Sequence, residues 1–328
     1  MKKILITGGT GFIGSHLAEK FVAKGFKVSV FDRYNPDYNL GNLEKSNVKK
    51  KINFIFGDIR DFDSTNDAIK KNDIVIHLAA LIGIPYSYVS PLAYIKTNIE
   101  GTYNVLESVK KNKISKLIVT STSEVYGSAR YLPINENHPL QPQSPYSASK
   151  IAADNLALSY FYSFKTPVTI IRPFNTYGPR QSERAIIPSV INQIYRTKNN
   201  FIELGNINPT REFNYIEDIC NAFLLAAKNK NFGEVINVGN GYEISIKRLV
   251  YKISKLMGKK IIIKRRNNRV RPKTSEVERL KSNNKKALKL LNWRPKFFGE
   301  KGLDKGLTKT IEWFLHNSTK DKGNKYIL

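Results

Sequence analysis

Lys3-Ile4-Leu5-Ile6-Thr7-Gly8-Gly9-Thr10-Gly11-Phe12-Ile13-Gly14 is the stretch that decides the fold. Its first five residues read as a short buried strand that ends on glycine. Gly8, Gly11 and Gly14 follow in the spacing G-x-x-G-x-x-G, and a helical pattern runs over Gly14–Lys24. Without a Cβ, glycines permit a tight turn and let backbone N–H groups approach a pyrophosphate. The positive end of the helix then faces the anion. A glycine triplet alone is weak evidence; its seat between a strand and a helix gives it weight. The basic start Met1-Lys2-Lys3 runs into these glycines rather than a long apolar segment, so it reads as a first strand and not as a targeting peptide.

Outward from this loop, apolar runs alternate with helical patterns. Strands are expected at Lys3–Thr7, Lys27–Phe31, Ile52–Phe56, Ile74–His77, Lys116–Ser121 and Val168–Arg172, with a helix over Thr97–Lys110. Such alternation implies right-handed crossovers and a doubly wound parallel sheet of the Rossmann type, an α/β fold. After Arg172 the expected order is helix Ile186–Tyr195, helix Asp218–Asn229, strand Glu234–Asn237 as a candidate to rejoin the sheet, helix Ile246–Met257, strand Lys260–Lys264, and helices Asn284–Leu291 and Leu303–Asn317. Residues 319–328 read as a frayed end. The expected division is 1–178 plus about 212–240 as the dinucleotide domain, with 179–211 plus 241–328 as a smaller α/β substrate-binding lobe.

The 328 residues suit two such units, and the 41% hydrophobic fraction is enough for sizeable cores. No apolar run is long enough to span a membrane. One cysteine, Cys220, allows no internal disulfide and fits a reducing, cytoplasmic setting. The formal net charge of +27 has three readings: lysine-rich composition, a field drawing in anionic nucleotides, or nucleic-acid and membrane-surface binding. Scattered lysine pairs favour the first. The dense patch is Lys264-Arg265-Arg266 with Arg269 and Arg271.

Asp32 ends the second strand, where a carboxylate accepts from an adenosine ribose and repels a 2′-phosphate. NAD is favoured over NADP, although Arg33 beside it is a guanidinium able to hold that phosphate. Gly57-Asp58-Ile59 follows the third strand, and Asp58 is suited to an adenine amino group. Leu78-Ala79-Ala80 follows the fourth, where small residues let the backbone pass close to a cofactor. Gly8, Gly11, Phe12, Ile13, Gly14, Asp32, Arg33, Asp58, Ile59, Leu78, Ala79 and Ala80 are the expected cofactor contacts, with Tyr146 and Lys150.

Tyr146 and Lys150 are four apart in Tyr-Ser-Ala-Ser-Lys and share one helix face. An ammonium beside a phenol stabilises the phenolate and brings it towards use as a general base. The bland alternative is a solvent-facing pair. The fifth strand ends in Ser121-Thr122-Ser123-Glu124-Val125-Tyr126-Gly127, and ligands of open α/β sheets bind at strand carboxyl ends. Thr122 is then a hydrogen-bonding partner of the reacting hydroxyl. Glu124 is a carboxylate in a cleft, costly there unless used or paired.

With these residues the sequence resembles the extended short-chain dehydrogenase/reductases, the group of nucleotide-sugar epimerases, 4,6-dehydratases and decarboxylases. The resemblance covers nearly the whole chain. It rests on the glycine loop, the Thr122 segment, Tyr146/Lys150, Arg172-Pro173-Phe174-Asn175-Thr176-Tyr177-Gly178-Pro179-Arg180, Arg211–Asp218, Arg271-Pro272 and Asn292-Trp293-Arg294-Pro295. It implies that Tyr146 removes the O4 proton while hydride leaves C4 for NAD. Thr122-Ser123-Glu124 matches the strand end of 4,6-dehydratases, so Glu124 is implied as the C5 base and Ser123 as a residue that orients the hydroxyl or a water. The nearest subgroup by Thr122–Ala129, Gln143–Ile151 and Arg172–Pro188 is the legionaminic-acid-pathway dehydratases, which act on UDP- or GDP-linked N-acetylglucosamine. A UDP-sugar 4-epimerase or UDP-glucuronate decarboxylase is the alternative. A cofactor-sensing or RNA-binding regulator is the non-enzyme one, disfavoured by the intact Tyr146 and Lys150.

The resemblance also implies that Asn175 lies near the substrate diphosphate and Ile187-Pro188 near the base. Arg211 and Arg271 are the expected diphosphate clamps, and Glu276 is a ribose acceptor. Lys281-Ser282-Asn283 stands where relatives carry an Asp and receives no role. Asn98 reads equally as a support of the catalytic helix or a structural amide. A homodimer through the Tyr146/Lys150 helix is implied. No His/Cys cluster has metal-ligand spacing, so no metal is expected.

Overall fold

The structure is a computed structural model that describes residues 1–266 and 273–317. In chain order the strands are β1 (Lys3–Thr7), β2 (Lys27–Arg33), β3 (Ile52–Gly57), β4 (Ile74–His77), β5 (Lys116–Thr120), β6 (Val168–Pro173), β7 (Thr176–Tyr177), β8 (Phe201–Leu204), β9 (Thr210–Glu212), β10 (Asn214–Tyr215), β11 (Glu234–Val238), β12 (Glu243–Ser245) and β13 (Ile262–Arg265). The helices are α1 (Phe12–Ala23), α2 (Phe62–Ile69), α3 (Ile84–Val89), α4 (Pro91–Tyr94), α5 (Gly101–Lys111), α6 (Pro145–Phe164), α7 (Ile186–Arg196), α8 (Ile216–Lys228), α9 (Ile246–Leu256), α10 (Lys285–Leu291) and α11 (Gly299–Asn317).

Seven parallel strands form the main sheet in the order β11-β6-β5-β4-β1-β2-β3. The strand sequence reverses between β1 and β4, and the crevice at that reversal is where open α/β sheets bind ligands. Strand β11 pairs with β6, Ile236 opposite Ile171, so Glu234–Val238 does rejoin the sheet. Ile4, Leu5 and Ile6 are all fully buried, which is why β1 reads as an unbroken apolar run. Alternation sorts the two faces. Ile4, Ile6, Val28 and Val30 pack on the side of Leu17, Phe21 and Phe223 from α1 and α8. Leu5, Val75, Leu117 and Val119 pack with Val105, Ala157 and Tyr160 from α5 and α6.

The remaining strands form three two-stranded pairs, β10 with β7, β12 with β9 and β13 with β8. β8, β12 and β13 lie in the segments expected to hold the substrate, whereas β7 and β10 lie in those expected to hold the dinucleotide. The helix expected over Thr97–Lys110 differs at its start. Ile95–Glu100 is a wider π turn before α5. Asn98 occupies that turn: its Oδ1 accepts from Leu81 N at 2.8 Å, and its Nδ2 donates to Leu81 O and Ser149 Oγ at 3.0 and 2.9 Å. Such single turns occur where a side chain must be re-aimed. The expected strand at Lys260–Lys264 begins at Ile262 instead. The basic-patch residues Arg269 and Arg271 and the segment 319–328 lie outside the described residues.

Candidate active site

Helix α6 carries the first two catalytic candidates. Ser144 caps it: Ser144 Oγ accepts from Ser147 N at 3.1 Å, and Ser147 Oγ accepts from Ser144 N at 3.0 Å. Pro145 at the first turn needs no N–H partner there. This start fixes the rotation of the helix, and Tyr146 and Lys150 both face inward, 8% and 5% exposed. The solvent-facing alternative is thereby removed. Tyr146 packs with Ile84 and Tyr94, whose ring centroid lies 6.2 Å away edge-on.

The end of β5 supplies the next three. The Thr122 hydroxyl lies close enough to the Tyr146 phenol to act on its ionisation. Its Oγ1 also accepts from Glu124 N at 3.2 Å, capping the short turn Ser123–Tyr126. Ser123 is buried, while Glu124 is half-buried and close enough for its charge to act on Tyr146. Burial raises the Tyr146 phenol above its ordinary value, the nearby Thr122 hydroxyl works against this, and the charge of Glu124 adds to the rise. Burial pushes Lys150 down, and Asp154 opposes it. Lys150 Nζ donates to Thr120 O at 2.6 Å, so the lysine is tied to the strand that presents Thr122.

The glycine loop makes a cradle that side chains would fill. Gly8 has φ +68°, and a Cβ there would lie 2.9 Å from Ala79 N. A Cβ on Gly14 would lie 2.3 Å from Gly8 O. Phe12 and Ile13 open α1 and are half-buried. Asp32 Oδ2 accepts from Thr10 N at 2.9 Å and Thr10 Oγ1 at 2.5 Å, so the carboxylate braces the loop it faces. Arg33 is exposed. Asp58 is held below the usual carboxylate range chiefly by its hydrogen bonds from Arg60. Ile59 is buried, and its carbonyl accepts from Asn104 Nδ2 at 3.0 Å. Leu78 N and Ala79 N both donate to Thr7 Oγ1 at 3.1 Å, which holds the Leu78-Ala79-Ala80 backbone against β1. Thr7 must then give its own proton to His77 Nδ1, 2.8 Å away. Burial pushes His77 down to about 3, with Lys150 adding to the effect, so the ring is neutral. The loop, Asp32 and β4 therefore fit a dinucleotide along the switch-point crevice.

The substrate-side candidates are more dispersed. Asn175 is half-buried between β6 and β7, its Nδ2 3.3 Å from Glu212 O. Ile187 and Pro188 are buried in the first turn of α7. Arg211 Nη2 donates to Glu276 Oε1 at 3.2 Å, so these two candidates are paired with each other. Arg271 lies outside the described residues. Ser282 N and Oγ donate to the buried Glu212 carboxylate at 2.6 and 2.8 Å, a structural role for the segment that departs from the family pattern. Tyr88 OH meets Ser275 Oγ at 2.5 Å, and Ser275 Oγ donates to Gln143 O at 2.5 Å, tying the 273–276 segment to the start of α6.

Sequence reading missed Ile84 and Tyr94, which wall Tyr146, because nothing in their spacing relates them to it. It also missed Asp154, although its place four residues after Lys150 was a usable signal. Among the described residues, no group of three or more His, Cys, Asp or Glu side chains could hold a metal, and no helix is long and apolar enough to cross a membrane. Burial pushes the Cys220 thiol up to about 12, which leaves it unreactive. A cavity of about 500 Å³ rimmed by Lys3, Lys27, Lys51 and Lys71 lies at the opposite end of the sheet from Tyr146.

Comparison with known proteins places this geometry. A dTDP-D-glucose 4,6-dehydratase of Dictyostelium discoideum is 41% identical over 264 residues, 75% of this chain and 60% of the relative, so the match spans less than two thirds of that protein. The structure of DesIV, a dTDP-glucose 4,6-dehydratase from Streptomyces venezuelae with NAD and TYD bound, superposes with a TM-score of 0.85 at 27% identity, covering 96% of this chain and 97% of the other. The UDP-N-acetylglucosamine 4-epimerase from Methanobrevibacter ruminantium M1, in complex with UDP-N-acetylmuramic acid, superposes with a TM-score of 0.86 at 30% identity, covering 97% and 99%. The family model described as GDP-mannose 4,6 dehydratase matches residues 5–305. A match that runs from the first strand into the last helix makes the chain a member of the GDP-mannose 4,6 dehydratase family, within the extended short-chain dehydrogenase/reductases.

Proposed function

We propose that the protein is an NAD-dependent 4,6-dehydratase of a nucleotide-linked hexose, yielding the 4-keto-6-deoxy sugar. The observation that carries this is the grouping of Tyr146 with the Thr122 hydroxyl and the Glu124 carboxylate at one strand end. Gly8, Gly11, Phe12, Ile13, Gly14, Asp32, Asp58, Ile59 and Leu78–Ala80 are the residues proposed to hold the cofactor. NAD held by these residues would supply a hydride acceptor at C4 and a hydride donor at C6. Tyr146 as phenolate removes the O4 proton, with Thr122 orienting that hydroxyl and Lys150 favouring the phenolate. The carbonyl formed at C4 acidifies C5–H. Glu124 takes that proton and delivers it to the departing C6 hydroxyl, so water leaves and a C5–C6 double bond forms. Glu124, reprotonated from solvent, returns a proton to C5 while the bound cofactor would supply hydride to C6, and Tyr146 releases the O4 proton to solvent. Ser123 orients the leaving group.

We assign residues 1–178 plus about 212–240 to the dinucleotide, and 179–211 plus 241–328 to the sugar nucleotide. Asn175, the Ile187-Pro188 turn, Arg211, Glu276 and Arg271 are the proposed substrate contacts. The likeness of Thr122–Ala129 and Arg172–Pro188 to legionaminic-acid-pathway enzymes makes UDP- or GDP-N-acetylglucosamine the proposed substrate. A lone buried thiol fits a reducing cytoplasm. The epimerase among the structural neighbours supports a second reading, 4-epimerisation, in which Tyr146 acts alike and Glu124 is idle. Turnover of UDP- and GDP-N-acetylglucosamine, dTDP-glucose, UDP-glucose and UDP-glucuronate, read by mass spectrometry, tests the choice. Loss of one water is the expected result. Unchanged mass with a new stereocentre means an epimerase, and loss of carbon dioxide a decarboxylase.

A further inference from the structure

Beneath the catalytic pair lies a buried charge network that the proposed chemistry leaves unused. Asp154 follows Lys150 by one helical turn on α6 and is 1% exposed. Its Oδ2 accepts from Ser121 Oγ at 2.7 Å and from Arg172 Nε at 2.9 Å, and pairs with Arg172 Nη2 at 2.9 Å. Its Oδ1 is buried and has no hydrogen-bond partner. Arg172, from β6, also donates through Nη1 to Tyr126 OH at 2.9 Å and lies 5.1 Å from the centre of that ring. Tyr126 OH donates to Asn237 Oδ1 at 2.7 Å. The network thus grips the residue before Thr122, the strand after it in the sheet, and the turn behind Lys150.

Two cations, Lys150 and Arg172, are buried here, and the charge of the one carboxylate, Asp154, acts on both. Arg172 uses only one oxygen of that carboxylate. The other retains its negative potential in a site where burial works against the lysine ammonium. We infer that Asp154 is a positioning residue that keeps Lys150 charged and pins the strand end presenting Thr122. This rests on the reading of Tyr146 and Lys150 as the catalytic pair. Other titratable groups around Lys150 do not substitute for it. Tyr146 lies on the same helix and needs the charge. His77 from β4 is neutral. Glu124, on the turn after β5, faces Tyr146, and Tyr94 from α4 is committed to Gly83 O at 2.5 Å. Glu107 of α5 is engaged by Lys110 and Tyr160.

A merely structural ion pair predicts lower stability with an unaltered pH profile. The inference predicts a moved profile. In Asp154→Asn the alkaline limb of kcat/KM, where Lys150 loses its proton, falls by about one pH unit or more. Asp154→Glu, which keeps the charge, restores it towards the parent value. Arg172→Gln removes the competing cation and moves the same limb upward. A folded Asp154→Asn enzyme with an unmoved limb overturns the inference, as does failure of both Asp154→Asn and Arg172→Gln to fold, which makes the pair structural. Lys150→Ala and Tyr146→Phe separate the underlying reading: if either keeps full turnover, the catalytic assignment itself fails, whatever Asp154 does.

Discussion

Arg211 and Glu276, each a candidate substrate contact in the sequence, lie 3.2 Å apart as an ion pair whose side chains are 10% and 17% exposed. Arg211 Nη1 also donates to Thr210 O at 2.9 Å. A guanidinium so placed is held in one orientation before a diphosphate arrives, which lowers the ordering cost of binding. Arg211→Ala is expected to raise KM for the nucleotide sugar roughly tenfold or more with a smaller change in kcat, because a charged hydrogen bond to phosphate is lost. Steady-state kinetics check this; an unchanged KM removes Arg211 from the substrate site.

Tyr146→Phe keeps the ring against Ile84 and Tyr94 and deletes only the proton acceptor. Turnover is expected to fall by roughly 10²–10⁴-fold with little loss of melting temperature. Because burial holds the phenol above its ordinary value, the parent rate should rise with pH on its acid limb. The variant's residual rate should lack that limb, and a retained limb assigns it to another group.

Glu124→Gln is expected to spare oxidation at C4 and block elimination. Exchange of the C5 proton with deuterated solvent, followed by NMR, should disappear while reduced cofactor accumulates. Full water loss in this variant would reject Glu124 as the C5 base and leave its carboxylate a bystander beside Tyr146.

The contact between α1 and the Gly178-Pro179-Arg180 turn should weaken in acid. Burial works against the Glu19 carboxylate, but bonds from Arg180 at 2.8 and 3.0 Å and from Ser46 at 2.7 Å hold it below its ordinary value. Its stabilisation is present above the unfolded carboxylate value of about 4.3 and is lost as pH falls through the lower folded value. Burial also lowers His16 from its ordinary value, its Nε2 3.0 Å from Pro179 O, so its contribution to stability begins to fall below the unfolded histidine value of about 6.5. Melting temperatures measured across this range should drop less in Glu19→Gln than in the parent at the acid end. Equal drops would mean that the pair is not the sensor.

The helices from α3 to α6 leave Val89, Leu92, Ile95, Tyr103 and Tyr162 exposed. The half-buried Leu156 and Leu158 of α6 pack against the core. A homodimer through this layer predicts that Tyr103→Glu and Ile95→Glu convert a dimer to monomer in sedimentation at micromolar concentration. A parent chain that is already monomeric there removes the dimer.

Local chemistry made most of the fold legible. Strands β1 and β4 fall on the expected residues, because short β-branched runs flanked by turn residues suit a strand buried on both faces. The glycine loop was readable for a similar reason: the missing Cβ at Gly8 and Gly14 matters within a few residues of chain. The partners of Tyr146 were legible as residue types but not as neighbours. Thr122 reaches it only because β5 ends and α6 begins at the same edge, and Tyr94 because α4 packs against α6.

The sequence by itself determined the parallel α/β plan, the phosphate loop and the one-face spacing of Tyr146 and Lys150, since each depends on propensity and period along the chain. Tertiary structure alone decided that both side chains turn inward, that Glu276 pairs with and orients Arg211, and that Asp154 pairs with Arg172. Burial and ion pairing join residues far apart in the chain, 65 positions for Arg211 and Glu276, and no local pattern encodes such a meeting.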